Sequence, residues 1–179
     1  MAVLVDEAVW PWRGGLWAHL VSDESIAELH DFAERLGLRR MAFQGDHYDV
    51  PSEVRERALQ IGARAVGGRD LVQRLRAAGL RLSASERPGR WERIVAWEAT
   101  GTPPDLTDWV PERLVEAVDR CVRVDWSIAT VTLYRRRSET VVLVTGGGSP
   151  RITNPVPDGV EWRCTENQVL ELIIEEDNR

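Results

Sequence analysis

Trp-Pro-Trp-Arg-Gly-Gly-Leu-Trp-Ala-His, residues 10–19, decides how the first half of this chain is built, because it links an apolar run to the first helix. Proline, arginine and a Gly-Gly pair among aromatic residues read as a long polar-aromatic loop. Before it, Ala2–Val5 is a short apolar run ending at Asp6, the pattern of a buried strand that presents a carboxylate at its C-terminal end. After it, Ser25 and Glu28 make a capping box, Ile26, Leu29, Ala33 and Leu36 recur at helical spacing, and Gly37 supplies the stop. Met41–Phe43 reads as a second strand, leading into a second polar loop, Gln-Gly-Asp-His-Tyr-Asp at 44–49. Pro51 opens a second helix with Val54, Ala58 and Ile61 inward, Ala63–Val66 is a third strand, and Leu71–Ala78 is a third helix closed by Gly79. Strand and helix alternate three times, the rhythm of crossovers in a parallel sheet. The expected fold for residues 1–82 is a small three-layer parallel α/β domain. Ligands of such sheets bind outside the carboxyl ends of the strands, which places Asp6, the 10–23 loop and the 44–49 loop at one rim.

Residues 83–90, Ser-Ala-Ser-Glu-Arg-Pro-Gly-Arg, have linker composition. Beyond them, residues 91–179 read as an acidic α+β domain. Trp91–Trp97 is an irregular strand or short helix, and Pro111–Val122 is a helix with Leu114, Val115, Val118 and Val122 on one side. Ala129–Tyr134 and Thr140–Thr145 are β-branched runs joined as an antiparallel hairpin, and Val160–Cys164 alternates as a strand. In the last segment Thr165 and Gln168 suggest a helix cap while Leu170, Leu172 and Ile174 alternate like a strand; the helix is preferred.

The 179 residues, 43% of them apolar and eight of them tryptophan, are enough for one good core or two small ones. No run approaches the roughly 18 apolar residues of a membrane span, and the N-terminus lacks a signal-peptide pattern, so a cytoplasmic location is expected. Cys121 and Cys164 are in no metal-ligand spacing and read as two buried thiols. Every one of the 23 basic residues is arginine, so recognition of phosphate or carboxylate falls to guanidinium forks or backbone amides. The net charge of −6 divides as −1 for residues 1–82 (11 Arg against 12 acids) and −5 for the rest (12 Arg against 17). Bulk nucleic-acid binding calls for the opposite sign.

Residues 1–82 resemble a bacterial and phage family known only as a domain of unknown function, number four thousand and thirty-one. The resemblance rests on Val5-Asp6, Trp17-Ala18-His19 and on to Asp23, Glu28-Leu29-His30, Phe32-Ala33, Leu36-Gly37, Phe43-Gln44, His47-Tyr48-Asp49 and the step from Ala58 to Gly62-Ala63. It implies that the Trp/His loop and the His-Tyr-Asp turn belong together, and it brings no activity with it. The resemblance covers a little under half of the chain, and no family is recognised in residues 90–179.

All three histidines lie in residues 10–49. His19 and His47, with Asp49 and Tyr48, are the candidate catalytic groups, since an imidazole whose tautomer a carboxylate fixes serves general acid–base chemistry. Asp6 and Asp23 are candidate metal ligands beside these histidines, and two imidazoles plus a carboxylate would leave positions open on a divalent ion. Arg13, with Trp12, Trp17 and Gln44, is the candidate ligand-binding set, a guanidinium for an anion and indoles for a flat group. His30, four residues after Ile26 on the first helix, reads as a packing residue. The Gly-Gly-Gly-Ser at 146–149 lacks the lysine of a phosphate loop and reads as a turn. These residues suggest binding, and hydrolysis or transfer, of a phosphate-bearing small molecule such as a nucleotide. The alternative is a non-enzymatic interaction module, or a homodimer, acting through the acidic half, with Trp91, Trp97, Trp109, Trp126 and Trp162 as anchors.

Overall fold

The computed structural model describes residues 2–165 and 168–176. The chain divides into two compact units, Met1–Pro88 and Gly89–Arg179. Among the described residues no helix is long and apolar enough to cross a membrane.

The first unit is mixed α/β. Strand β1 (Val3–Val5) is followed by β2 (Trp10–Trp12) and β3 (Gly15–Ser22), then helix α1 (Ile26–Arg35), β4 (Tyr48–Pro51), α2 (Ser52–Gln60), the short β5 (Arg64–Ala65) and α3 (Gly68–Ala77). Its sheet runs β2-β3-β1-β5, with β4 also on β3. Only β1 and β5 are parallel; β1–β3, β2–β3 and β3–β4 are antiparallel, so the parallel sheet expected from the strand–helix rhythm is corrected. Two misread segments account for this. Residues 10–22 hold a hairpin and a full-length strand where a loop was expected, and Arg40–Ala42 is a 3-10 turn where a strand was expected. The hairpin turns on Arg13 and Gly14, both at positive φ (48° and 78°), which matches the right-handed twist of the flanking strands. Pro11 is tolerated because β2 is at the sheet edge, where a missing N–H breaks no ladder.

Alternation along the strands decides which helix each side chain meets. Val3, Val5, Ala18, Leu20, Tyr48 and Val50 share a core with Leu29, Phe32 and Ala33 of α1 and Ala58 of α2. Ala2, Leu4 and Val21 pack against Leu71 and Leu75 of α3. The cap of α1 forms as expected: Ser25 Oγ accepts from the Glu28 amide at 3.1 Å. The Glu28 carboxylate, however, takes the Ser22 hydroxyl rather than reaching back to Ser25.

The second unit is an antiparallel sheet, β11-β12-β9-β8-β6, built from β6 (Glu92–Glu98), β8 (Ala129–Arg136), β9 (Glu139–Gly146), β11 (Glu161–Thr165) and β12 (Val169–Glu175). Helix α4 (Glu112–Glu116) continues as a π turn to Cys121, and β7 (Val122–Arg123) pairs with β10 (Arg151–Ile152). Leu114 and Val118 pack on Val131, Leu133, Val142, Leu170 and Leu172, and the β8–β9 hairpin is as expected. The final segment is a strand, not a helix. Its alternating Leu170, Leu172 and Ile174 complete the core, and burial there outweighs the local cap signal. Residues 166 and 167, inside the expected cap, lie outside the described residues. Cys121 is buried, whereas Cys164 is exposed on the sheet's edge strand, correcting the expectation of two buried thiols. Of the candidate anchors Trp109 and Trp162 are exposed, while Trp97 and Trp126 lean on the core.

Candidate metal and anion site

The register of the first sheet assembles the site. His19 on β3 stands directly opposite Asp49 on β4, and His47, two residues before Asp49 in extended chain, projects to the same face. The two imidazoles therefore meet, with ring centroids 5.4 Å apart. His47 Nε2 is 3.4 Å and His19 Nε2 3.9 Å from the same oxygen, Asp49 Oδ1. One ligand atom from each of the three residues lies within 4.8 Å of the others. Tetrahedral coordination at 2.0–2.1 Å sets ligand–ligand distances of about 3.4 Å, so the His47–Asp49 spacing already matches a coordination sphere and the wider separations, within 4.8 Å, must close toward it.

Each imidazole is held from behind. Asp6, which follows β1 and is buried, accepts from His19 Nδ1 at 2.8 Å and from the His19 amide at 2.6 Å. Asp46, fully buried, accepts from His47 Nδ1 at 2.5 Å, from Arg81 Nη1 at 2.9 Å and from the Leu82 amide at 3.1 Å. A carboxylate can only accept here, so both Nδ1 atoms carry the proton and both Nε2 atoms turn toward Asp49. Carboxylate–imidazole pairs of this kind are the usual outer support of metal-binding histidines.

The electrostatics follow the same contacts. Burial alone would depress His47, but Asp46 and Asp49 outweigh it and raise its pKa above the ordinary value. Burial likewise pushes Asp46 up, and the His47 bond and charge, the Leu82 amide and Arg81 pull it below the usual range. Asp49 is lowered too: against its burial act His47, His19 and Arg87.

The site opens onto a cavity of about 400 Å³ against α3, which takes in Asp6 just past the end of β1 and Gly68 shortly after β5. Asp6, His19 and His47 line its polar side, Leu71 and Leu75 of α3 its apolar side, and Trp10, Arg81 and Arg87 complete it. The size is within the range of small-molecule sites.

The other sequence candidates are elsewhere. Asp23 accepts from the Ala2 amide at 2.6 Å and Arg74 at 3.3 Å, four residues from His19, roughly 13 Å along extended chain. Tyr48 points to the opposite face of β4, fully buried, its hydroxyl 2.9 Å from His30 Nδ1; that bond makes His30 a packing residue of α1. Arg13 is at the hairpin tip over the Trp12 ring, and Trp12 and Trp17 contact each other. Gln44 closes the turn before β4, its amide bonding the His47 carbonyl. Of the aromatic residues in this stretch, Trp10 is the one that reaches His19, ring to ring at 5.8 Å. Asp46, Arg81 and Arg87 were not legible as site residues. An Asp directly before a candidate His was the available signal for Asp46, whereas nothing local marks the arginines.

No curated protein and no solved structure matches this chain. Residues 3–78, which carry His19, His47, Asp49 and both supporting carboxylates but neither cavity arginine, match the family described as Protein of unknown function (DUF4031), so it is this family that the first unit resembles.

Proposed function

We propose that the first unit is a metal-dependent site that binds, and hydrolyses or transfers a group from, a phosphate-bearing small molecule. The observation that carries this reading is the convergence of His19, His47 and Asp49, with each imidazole fixed from behind by its own carboxylate. Two imidazoles and one carboxylate suit zinc, iron, cobalt or manganese and leave positions for water and substrate. A cation held there supplies a Lewis acid and lowers the pKa of water to near neutrality. In the hydrolytic case the water oxygen joins phosphorus, the ester P–O bond breaks, and the leaving oxygen keeps its electron pair and takes a proton. His19 and His47 then act as ligands rather than as acid and base, Arg81 and Arg87 replace Arg13 as the anion-binding pair, and Trp10 replaces Trp12 and Trp17 beside the ligand.

The test is calorimetric titration of the chain with zinc, manganese and cobalt, followed by phosphate release from a panel of nucleotides and sugar phosphates. One ion per chain is expected, with uptake and turnover both lost in His19→Ala and His47→Ala. Folded variants that bind and turn over like the parent would remove the ground for the proposal.

A second reading draws on the exposed Trp109 and Trp162 of the acidic unit, which suit an interaction surface. Ligand-independent self-association in sedimentation, abolished by replacing these two residues, is its expected signature; a monomer at all concentrations counts against a homodimer.

A further inference from the structure

Arg81 and Arg87 follow α3 in the chain and both line the cavity that His19 and His47 border. Their bonding is unequal. Arg81 gives one arm to Asp46, while Arg87 has no hydrogen-bond or ion-pair partner among the described residues, and its Nε is buried without an acceptor. A buried charged donor left without an acceptor is costly, and an oxygen of a bound anion relieves that cost. A guanidinium is also the side chain best matched in shape to the oxygens of a phosphate.

The charge balance adds an order of events. Asp6, Glu7, Asp46 and Asp49 set four carboxylates around the cavity and the His pair against the guanidinium groups of Arg81 and Arg87. The surplus of two negative charges attracts a divalent cation and repels a dianion. Once the cation is bound the surplus is cancelled, and a dianion meets positive charge from both sides.

Asp46 joins the two halves mechanically. One oxygen holds His47 Nδ1, and the other holds Arg81 and the Leu82 amide. Next to it, Gly45 is so close to Leu82 and Pro88 that a Cβ would stand 2.9 Å and 2.6 Å from their side chains, so the His47 turn and the 81–88 segment are fitted together.

We propose that the cavity takes the terminal phosphate dianion of a small phosphomonoester between a cation on His19, His47 and Asp49 and the Arg81–Arg87 pair, that cation and phosphate bind cooperatively, and that Asp46 is the positioning residue they share. This rests on the metal site proposed above and adds the substrate group and its coupling. Linkage makes the coupling reciprocal, so phosphate tightens the cation as much as the cation tightens phosphate.

Cobalt(II) and inorganic phosphate are the probes, with calorimetry for affinity and the visible cobalt spectrum for coordination. We expect one cobalt per chain, and phosphate binding at least about tenfold tighter to the cobalt form than to protein kept in chelator, within the usual span of coupling between sites. Arg87→Gln, which breaks no internal hydrogen bond, weakens phosphate about tenfold at saturating cobalt and does not weaken cobalt measured without phosphate, since it removes a positive charge that acts on Asp49, and Arg87→Lys recovers part of the loss. Asp46→Asn weakens cobalt by about 10–100-fold and alters its spectrum. Phosphate that binds equally with and without cobalt, or that ignores Arg87→Gln, overturns this inference and leaves the metal site standing. A folded chain that takes up no cobalt overturns both.

Discussion

Replacing Asp6 by Asn probes the site without changing its shape. The carboxylate accepts two hydrogen bonds, from the His19 amide at 2.6 Å and from His19 Nδ1 at 2.8 Å, and Asn has only one oxygen with which to accept. Turning the Asn amide group toward the backbone N–H would set two donors against each other in a buried position, at a cost of about 1–3 kcal/mol. The oxygen therefore stays with the backbone and the NH2 faces Nδ1, which must become an acceptor. The imidazole proton then moves to Nε2, the atom that faces Asp49. A metal must displace that proton, and loss of an outer-shell partner typically weakens binding 10–100-fold, about 1.4–2.7 kcal/mol. Zinc competition against a fluorescent chelator measures the affinity, and long-range 1H–15N spectra of the imidazole report which nitrogen is protonated. A variant that binds zinc within twofold of the parent while keeping its proton on Nδ1 would refute the role given to Asp6.

Three further outcomes are expected. Tyr48→Phe loses the bond to His30 and costs about 1 kcal/mol in denaturant unfolding, yet leaves zinc affinity unchanged because the hydroxyl is on the other face of β4; a tenfold loss of zinc would contradict that placement. In chelator, the raised His47 pKa contributes stability that is full below the unfolded value of about 6.5 and is lost as pH rises through the folded value. The lowered Asp46 and Asp49 contribute stability that is present above about 3.9 and is lost as pH falls through their folded values. Thermal unfolding of the metal-free chain should thus peak on the mildly acidic side and weaken in alkali, whereas saturating zinc should reverse the alkaline trend, since binding releases protons; identical profiles with and without zinc would argue against His47 as a ligand. Gly45→Ala, at φ 96° with its new Cβ 2.6 Å from Pro88 Cδ, should cost about 1–3 kcal/mol in chemical denaturation, and an unchanged midpoint would show that the turn relaxes freely.

Much of this protein is determined locally and could be read from residues alone. The cap and apolar stripe of α1, the second and third helices, and the β8–β9 hairpin all follow from spacing and turn chemistry. So does the pairing of His19 with His47 as candidate site residues, since polar groups that punctuate apolar segments stand out. Strand partners and faces are another matter, because they depend on which distant segments bury each other. Leu16, Ala18 and Leu20 alternate as a strand should, but a proline, an arginine and two glycines just before them mimic a loop until β1 and β4 are seen to flank the segment. In the same way Leu170, Leu172 and Ile174 become a strand only because β9 offers them an open edge and a core. Tyr48 and Asp49 are neighbours of equal promise in sequence, yet the pleat sends one into the core and the other to the imidazoles. Arg81 and Arg87, more than 30 residues from His47, enter the site only through the fold, since nothing short of tertiary packing connects a guanidinium to a carboxylate that far along the chain.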